Sequence, residues 1–195
     1  MSRTEIYAVD AEGNIEFEGE CQNAWLGAMH VWKTLASKYG IVKPGEEYRL
    51  LLDDSVMKQI WALARDERLP WWERVVHAST FDRAIVLRDD FPRLIEAFEQ
   101  WVRERPEEAI GLACQLDYFK LIVEHERGFR GICWNQTTIG ESYWWVRDGS
   151  GEDEEGRQFN IDRDAEWWSL FEKHPELRNP CNDLLQGDPG RVLVT

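Results

Sequence analysis

Three stretches of the chain repeat apolar residues at helical spacing, and short β-prone runs separate them. The first carries Trp25, Ala28, Met29, Trp32, Leu35 and Tyr39; the second Val56, Met57, Ile60, Trp61, Leu63 and Ala64; the third Phe91, Leu94, Ile95, Phe98, Trp101 and Val102. An α-helix turns once in 3.6 residues, so each set forms one stripe that must be buried against something. Asn23 is placed to cap the first helix and Gly40 to stop it. Gly27 falls inside that helix, where close packing against a neighbour is the simplest reason to keep it. Pro70 opens a short helix through His77, and Pro106 opens another through about His125.

The β-prone runs supply the surface that these stripes need. Thr4 to Val9 and Ile15 to Glu18 flank the turn residues Asp10 to Asn14, which predicts a hairpin. Tyr48 to Leu52, Ala84 to Leu87 and Phe129 to Trp134 read as further strands. Strands joined through helices are usually parallel, with right-handed crossovers. The expected fold is therefore α+β: a mixed sheet, made of the N-terminal hairpin plus parallel strands, packed against helices. The length of 195 residues fits one domain, and no repeat or linker divides it. The segment from about Pro175 looks irregular.

In that topology three strand ends point one way. They carry Asp53-Asp54, Asp89-Asp90 and Asn135-Gln136-Thr137-Thr138. Ligands of open α/β sheets bind outside strand carboxyl ends. Carboxylates there suit a hard cation such as Mg²⁺, with Asp53 and Asp90 as ligands and Asn135 assisting, beside a phosphate-bearing substrate. The plainer reading is that Asp54 and Asp90 cap the helices that follow them.

Acidic residues number 37 against 23 basic, a formal charge of −14. That balance opposes general attraction to nucleic acid and to anionic membranes. It favours basic partners and cations, or simply a well-solvated surface. The first ten residues lack the apolar core of a secretory signal, and no apolar run suggests a membrane span, so the expectation is a soluble cytoplasmic protein. Cys21, Cys114, Cys133 and Cys181 form no CxxC pair, and in a reducing compartment they are expected as buried thiols. Cys133 with His77 or His125 would suit a thiol nucleophile, but no spacing puts a histidine beside it. The acidic loop from Asp148 to Glu155 fails the calcium-loop pattern at its sixth and twelfth positions.

Eleven tryptophans are the least ordinary feature of the composition. Trp25, Trp32, Trp61 and Trp101 sit on helix stripes and are expected in the core. Trp71-Trp72, Trp144-Trp145 and Trp167-Trp168 are doublets. Neighbouring side chains diverge by about 100° on a helix and by 180° on a strand, so burying both needs cover on two sides. The plainer reading is that these six rings wrap a thin two-layer core; the sharper one makes them candidates for an interaction surface.

The stretches Asn23-Ala24-Trp25-Leu26-Gly27-Ala28-Met29, Thr80-Phe81-Asp82 and Cys133-Trp134-Asn135-Gln136-Thr137-Thr138 together resemble a group of uncharacterised bacterial proteins, many of them prophage-associated. The resemblance covers most of the chain to about Thr138. It implies a bacterial cytosol and a phage-related role, and transfers no catalytic residue. Two function classes follow. One is a binding module that engages a protein partner with a basic surface. The other is a small divalent-cation-dependent enzyme acting on a phosphate-bearing substrate.

Overall fold

The computed structural model describes residues 3–11, 14–23, 26–81, 84–106 and 109–136. Among these, four strands form one sheet in the order β2-β1-β4-β3: β1 (Arg3–Val9), β2 (Ile15–Gln22), β3 (Ile85–Leu87) and β4 (Gly131–Gln136). The hairpin forms as expected. Its turn is closed by the Asp10 carboxylate, which accepts from the Asn14 backbone N–H and side-chain amide, both at 2.8 Å. A bulge at Glu18 shifts the register between Ile6 paired with Gly19 and Tyr7 paired with Phe17.

Among the described residues every strand pair is antiparallel, which corrects the expected parallel strands. The physical reason is the number of helices between β3 and β4. One crossover helix returns a chain to the end of the sheet where it started. Here α5 (Phe91–Glu104) and α6 (Ile110–Glu124) both intervene, so the chain enters β4 beside the point where it left β3. Leu87, the last residue of β3, accordingly pairs with Gly131, the first of β4.

The remaining described helices are α1 (Ala28–Lys38), α2 (Arg49–Leu52), α3 (Asp54–Leu63) and α4 (Trp71–Ala78). The expected strand from Tyr48 to Leu52 is thus a single helical turn. Its five residues are too short a run for periodicity to separate strand from helix. Gly27 lies just before α1, not within it. A Cβ there would come 2.8 Å from the Asn23 side-chain oxygen, the atom that accepts from the first helical N–H, that of Ala28.

Alternate residues of each strand face the helices. Ile6, Ala8, Val86, Ile132 and Trp134 join one core with Leu35, Ile60, Val76, Leu94, Phe98, Trp101 and Phe119. Two attachments bring α6 onto β2. A Cβ on Gly19 would lie 2.2 Å from the Tyr118 ring, so only glycine admits that ring. Cys21 of β2 and Cys114 of α6 are joined as a disulfide, which corrects the expectation of thiols at those two positions. Among the described residues no helix is long and apolar enough to cross a membrane.

Candidate functional site

The strand-end acids are not brought together. Asp89 and Asp90 form a 3-10 turn after β3, beside the Gly131 end of β4. Asn135 and Gln136 end that same β4 strand, roughly 14 Å away at about 3.4 Å per residue. Asp53 and Asp54 follow a helix, not a strand. Thr137 lies outside the described residues, as do Trp25, Trp144, Trp145, Trp167, Trp168, the acidic loop from Asp148 and the segment from Pro175. Among the described residues no three His, Cys, Asp or Glu side chains are grouped to hold a metal ion.

The described acids of that set differ in what they do locally. Asp53 caps α3: its carboxylate accepts from the backbone N–H of Ser55 at 3.0 Å and of Val56 at 3.3 Å. The Ser55 hydroxyl and then the Arg49 guanidinium, 2.9 Å away, hold its carboxyl well below the usual carboxylate range. The cap is thus Asp53, one residue before the expected Asp54, which opens the helix. Asp90 precedes α5 but makes no side-chain capping bond. Partial burial, with the Asp89 charge adding to it, raises its carboxyl above the ordinary value.

Asn135 and Gln136 are buried. Asn135 donates to Glu5 at 3.3 Å. The Gln136 side-chain oxygen accepts from Thr4 at 2.8 Å and from Asn23, while its amide nitrogen donates to the Ser79 carbonyl at 3.2 Å. Trp134 donates to the Phe81 carbonyl at 2.8 Å, and Trp32 to the Thr80 hydroxyl at 2.8 Å. Described residues of the three stretches quoted for the sequence resemblance, Asn23, Phe81, Trp134 and Gln136, therefore bond around one end of the sheet. Their polar groups satisfy one another inside the protein, so this cluster ties β1, β4, α1 and the turn after α4 together.

Cys133 is not arranged as a nucleophile. Burial pushes its thiol far up, away from the reactive thiolate. It shares a strand face with Asn135, opposite Trp134, as expected. His77 belongs to the helical layer, where its Nε2 lies 2.7 Å from the Ile60 carbonyl and its ring meets Phe81 edge-on.

The tryptophans divide differently from expectation. Trp101 is core, as expected. Trp71 and Trp72 are half-buried. Arg93 lies over Trp71 at 4.9 Å, and Trp72 meets Trp101 edge-on at 6.0 Å. Trp61, expected in the core, is 48% exposed, because it stacks on the outside of Phe81 with ring centroids 4.1 Å apart. Phe81 in turn stacks on Trp32.

The surface that stands out surrounds α2. Gly45, at φ +89°, makes the turn after Pro44, and backbone bonds from Glu46 to Lys43, Arg49 to Glu46 and Leu50 to Glu47 wind the chain into the helical turn. Leu50 is fully buried and anchors it. Tyr48 and Leu52 are each two positions from Leu50, which turns them to the opposite side of the helix and 40° from one another. They are 61% and 80% exposed, and Leu51 is 58% exposed. Glu46, Glu47, Asp53 and Asp54 flank this apolar trio, with Arg49 the one cation between them. Arg49 is held by Asp53 and by Glu46 at 3.4 Å. Sequence reasoning picked out Asp53 and Asp54 but missed Tyr48, Leu51 and Leu52. Their signal was an apolar run that reads as buried strand until its helical geometry is known.

No family model, curated protein or solved structure matches the chain.

Proposed function

We propose that the protein is a binding module of bacterial or prophage origin that engages a protein partner whose surface is basic with an apolar patch. The observation that carries this reading is the exposed trio Tyr48, Leu51 and Leu52 between two pairs of acidic residues. Isolated exposed apolar residues are ordinary, but three on one helical turn are a focused apolar contact. The flanking carboxylates would draw a basic surface toward it and set orientation, while the apolar residues would supply the area removed from water. Arg49 fastens Asp53 and Glu46 in place, so part of this charge pattern is organised before binding. The chain's −14 charge acts in the same direction at longer range.

The test compares affinity capture by the full-length chain with capture by the Tyr48→Ala/Leu52→Ala variant, in cells carrying the protein. Both side chains are exposed, so the variant keeps its fold. A protein retained by the wild type, weakened at least about tenfold in the variant and weakened again by raised salt supports the reading. Equal retention by both chains removes α2 from the interface and with it this proposal.

A further inference from the structure

The sheet has a second face that the helical core does not use. Tyr7, Val9, Ile15, Ile85 and Cys133 alternate with the helix-facing residues and point to the opposite side. None of the five belongs to the core cluster that the described helices share with Ile6, Ala8, Val86, Ile132 and Trp134. All five are nevertheless buried, Cys133 completely and Val9 to within 1%. Gly131 continues the same surface, since a Cβ there would meet Val9 and Ile85 side chains at 3.2 to 3.5 Å. Phe17 and Leu87 lie at its two rims and stay exposed, Phe17 with its ring edge-on to Tyr7 at 5.5 Å. A sheet with apolar residues on both faces is stable in water only as the middle of a three-layer arrangement.

We propose that this outer face is the docking surface for the chain's own C-terminal segment, residues 137–195. Three observations commit the face to that occupant. The segment continues directly from Gln136, the last residue of β4, which is an interior strand of the sheet. Its 59 residues, the difference between 195 and 136, are ample for the task. Four strands at about 4.8 Å span roughly 20 Å, which a helix of about 13 residues crosses. The segment also has the matching chemistry, because Trp144, Trp145, Trp167 and Trp168, with Leu170 and Phe171, give it large apolar surface. A covalently attached cover has an effective concentration in the millimolar range, which a second copy or a separate partner would have to exceed. The doublets then have a role apart from the α2 surface: they complete a second core.

The test places a photoactivatable benzoylphenylalanine at the rim positions, Phe17 in one full-length protein and Leu87 in another, and maps the cross-linked peptides by mass spectrometry. Both sites are exposed, so neither replacement disturbs the core. The expected result is cross-links to residues 137–195 within one chain, running as a monomer. Cross-links joining two chains, cross-links confined to residues before 137, or none at either position would overturn the proposal. A second measurement follows Cys133 in the full-length Cys181→Ser protein, using a thiol-specific chromophore without reductant. Docking predicts labelling at least about a hundredfold slower than in the denatured chain. Labelling as fast as in the denatured chain would overturn it.

Discussion

The Glu73 carboxylate, sealed from solvent, holds the Arg105 guanidinium at 3.1 Å. The same carboxylate receives Lys38 at 2.7 Å and the Tyr39 hydroxyl at 3.0 Å. Arg105 also lies over the Trp101 ring at 4.3 Å, so one buried acid organises cations and aromatic rings between α1, α4 and the end of α5. Removing one partner of such a pair strands the other. Glu73→Gln is expected to cost about 3 kcal/mol and Tyr39→Phe about 1 kcal/mol in urea unfolding. A Glu73→Gln loss below that of Tyr39→Phe would show that the pair contributes little beyond packing.

His77 makes stability depend on mildly acidic pH. Its ring is completely buried, its Nε2 bonds the Ile60 carbonyl and its Nδ1 finds no partner among the described residues, so the folded protein holds it neutral. Burial lowers its pKa from 6.5 to about 4. A histidine that binds its proton more weakly when folded leaves stability intact above its unfolded pKa. That stability is then lost as pH falls from about 6.5 toward 4. Between pH 7 and pH 5 the loss should be about 2 kcal/mol, measured by denaturant melts. The His77→Gln protein, although less stable throughout, should show a flat profile over that interval. An unchanged slope would assign the effect to other groups.

The elements that the sequence reveals are those whose local pattern agrees with their surroundings. Asp10 and Asn14 close the hairpin through bonds that any Asp-to-Asn turn of that length can make. Phe91, Leu94, Phe98 and Trp101 are one stripe in sequence and one buried face in α5. The run Tyr48 to Leu52 misleads because its hydrophobicity serves exposure rather than burial, with Leu50 alone pointing inward. Strand direction is hidden for another reason. It depends on the two helices between Leu87 and Gly131, and nothing local to either strand records how many times the chain turns back. The expected meeting of Asp90 with Asn135 depended on that direction and fails with it, and Asp53 follows a helical turn instead of a strand. Thr4, Ser79 and Phe81 as partners of Gln136 and Trp134 were equally out of reach, since contacts across more than fifty residues leave no mark in spacing.

The two acidic pairs should respond differently to mutation. Asp53 receives two backbone N–H groups and Arg49, whereas Asp90 receives no capping bond. Asp53→Ala should lower Tm by a few degrees, and Asp90→Ala should leave it nearly unchanged or raise it slightly by removing a partly buried carboxylate beside Asp89. Equal losses from both would mean that Asp90 carries a role the capping geometry does not express.

Gly111 should resist a substitution that usually helps helices. Alanine in a helix gains up to about 1 kcal/mol over glycine. A Cβ on Gly111, though, would sit 2.4 Å from the Leu26 carbonyl oxygen and 2.8 Å from that of Gln22, both backbone atoms. Neither can swing aside as a side chain would, so α6 would have to move off the chain entering α1. Gly111→Ala is expected to destabilise by about 1 to 3 kcal/mol, and a gain in its thermal melt would show that the approach is looser.

The Cys21–Cys114 disulfide closes a loop between residues 93 apart in sequence, from the edge strand β2 to the second turn of α6. A cross-link over so long a loop removes much of the freedom of the unfolded chain and typically contributes about 2 to 4 kcal/mol. Digestion without reductant should yield one linked peptide pair containing Cys21 and Cys114. Adding reductant should lower Tm in the wild type but not in a Cys21→Ser/Cys114→Ser protein. The site is already close-packed, with the Tyr118 ring against Gly19 one turn from Cys114, so the reduced form should keep its fold. Reductant would then act as a graded control on how firmly α6 is held to the sheet. If the two cysteines are recovered as separate thiols from protein prepared under oxidising conditions, α6 is held by packing alone and the reductant dependence disappears.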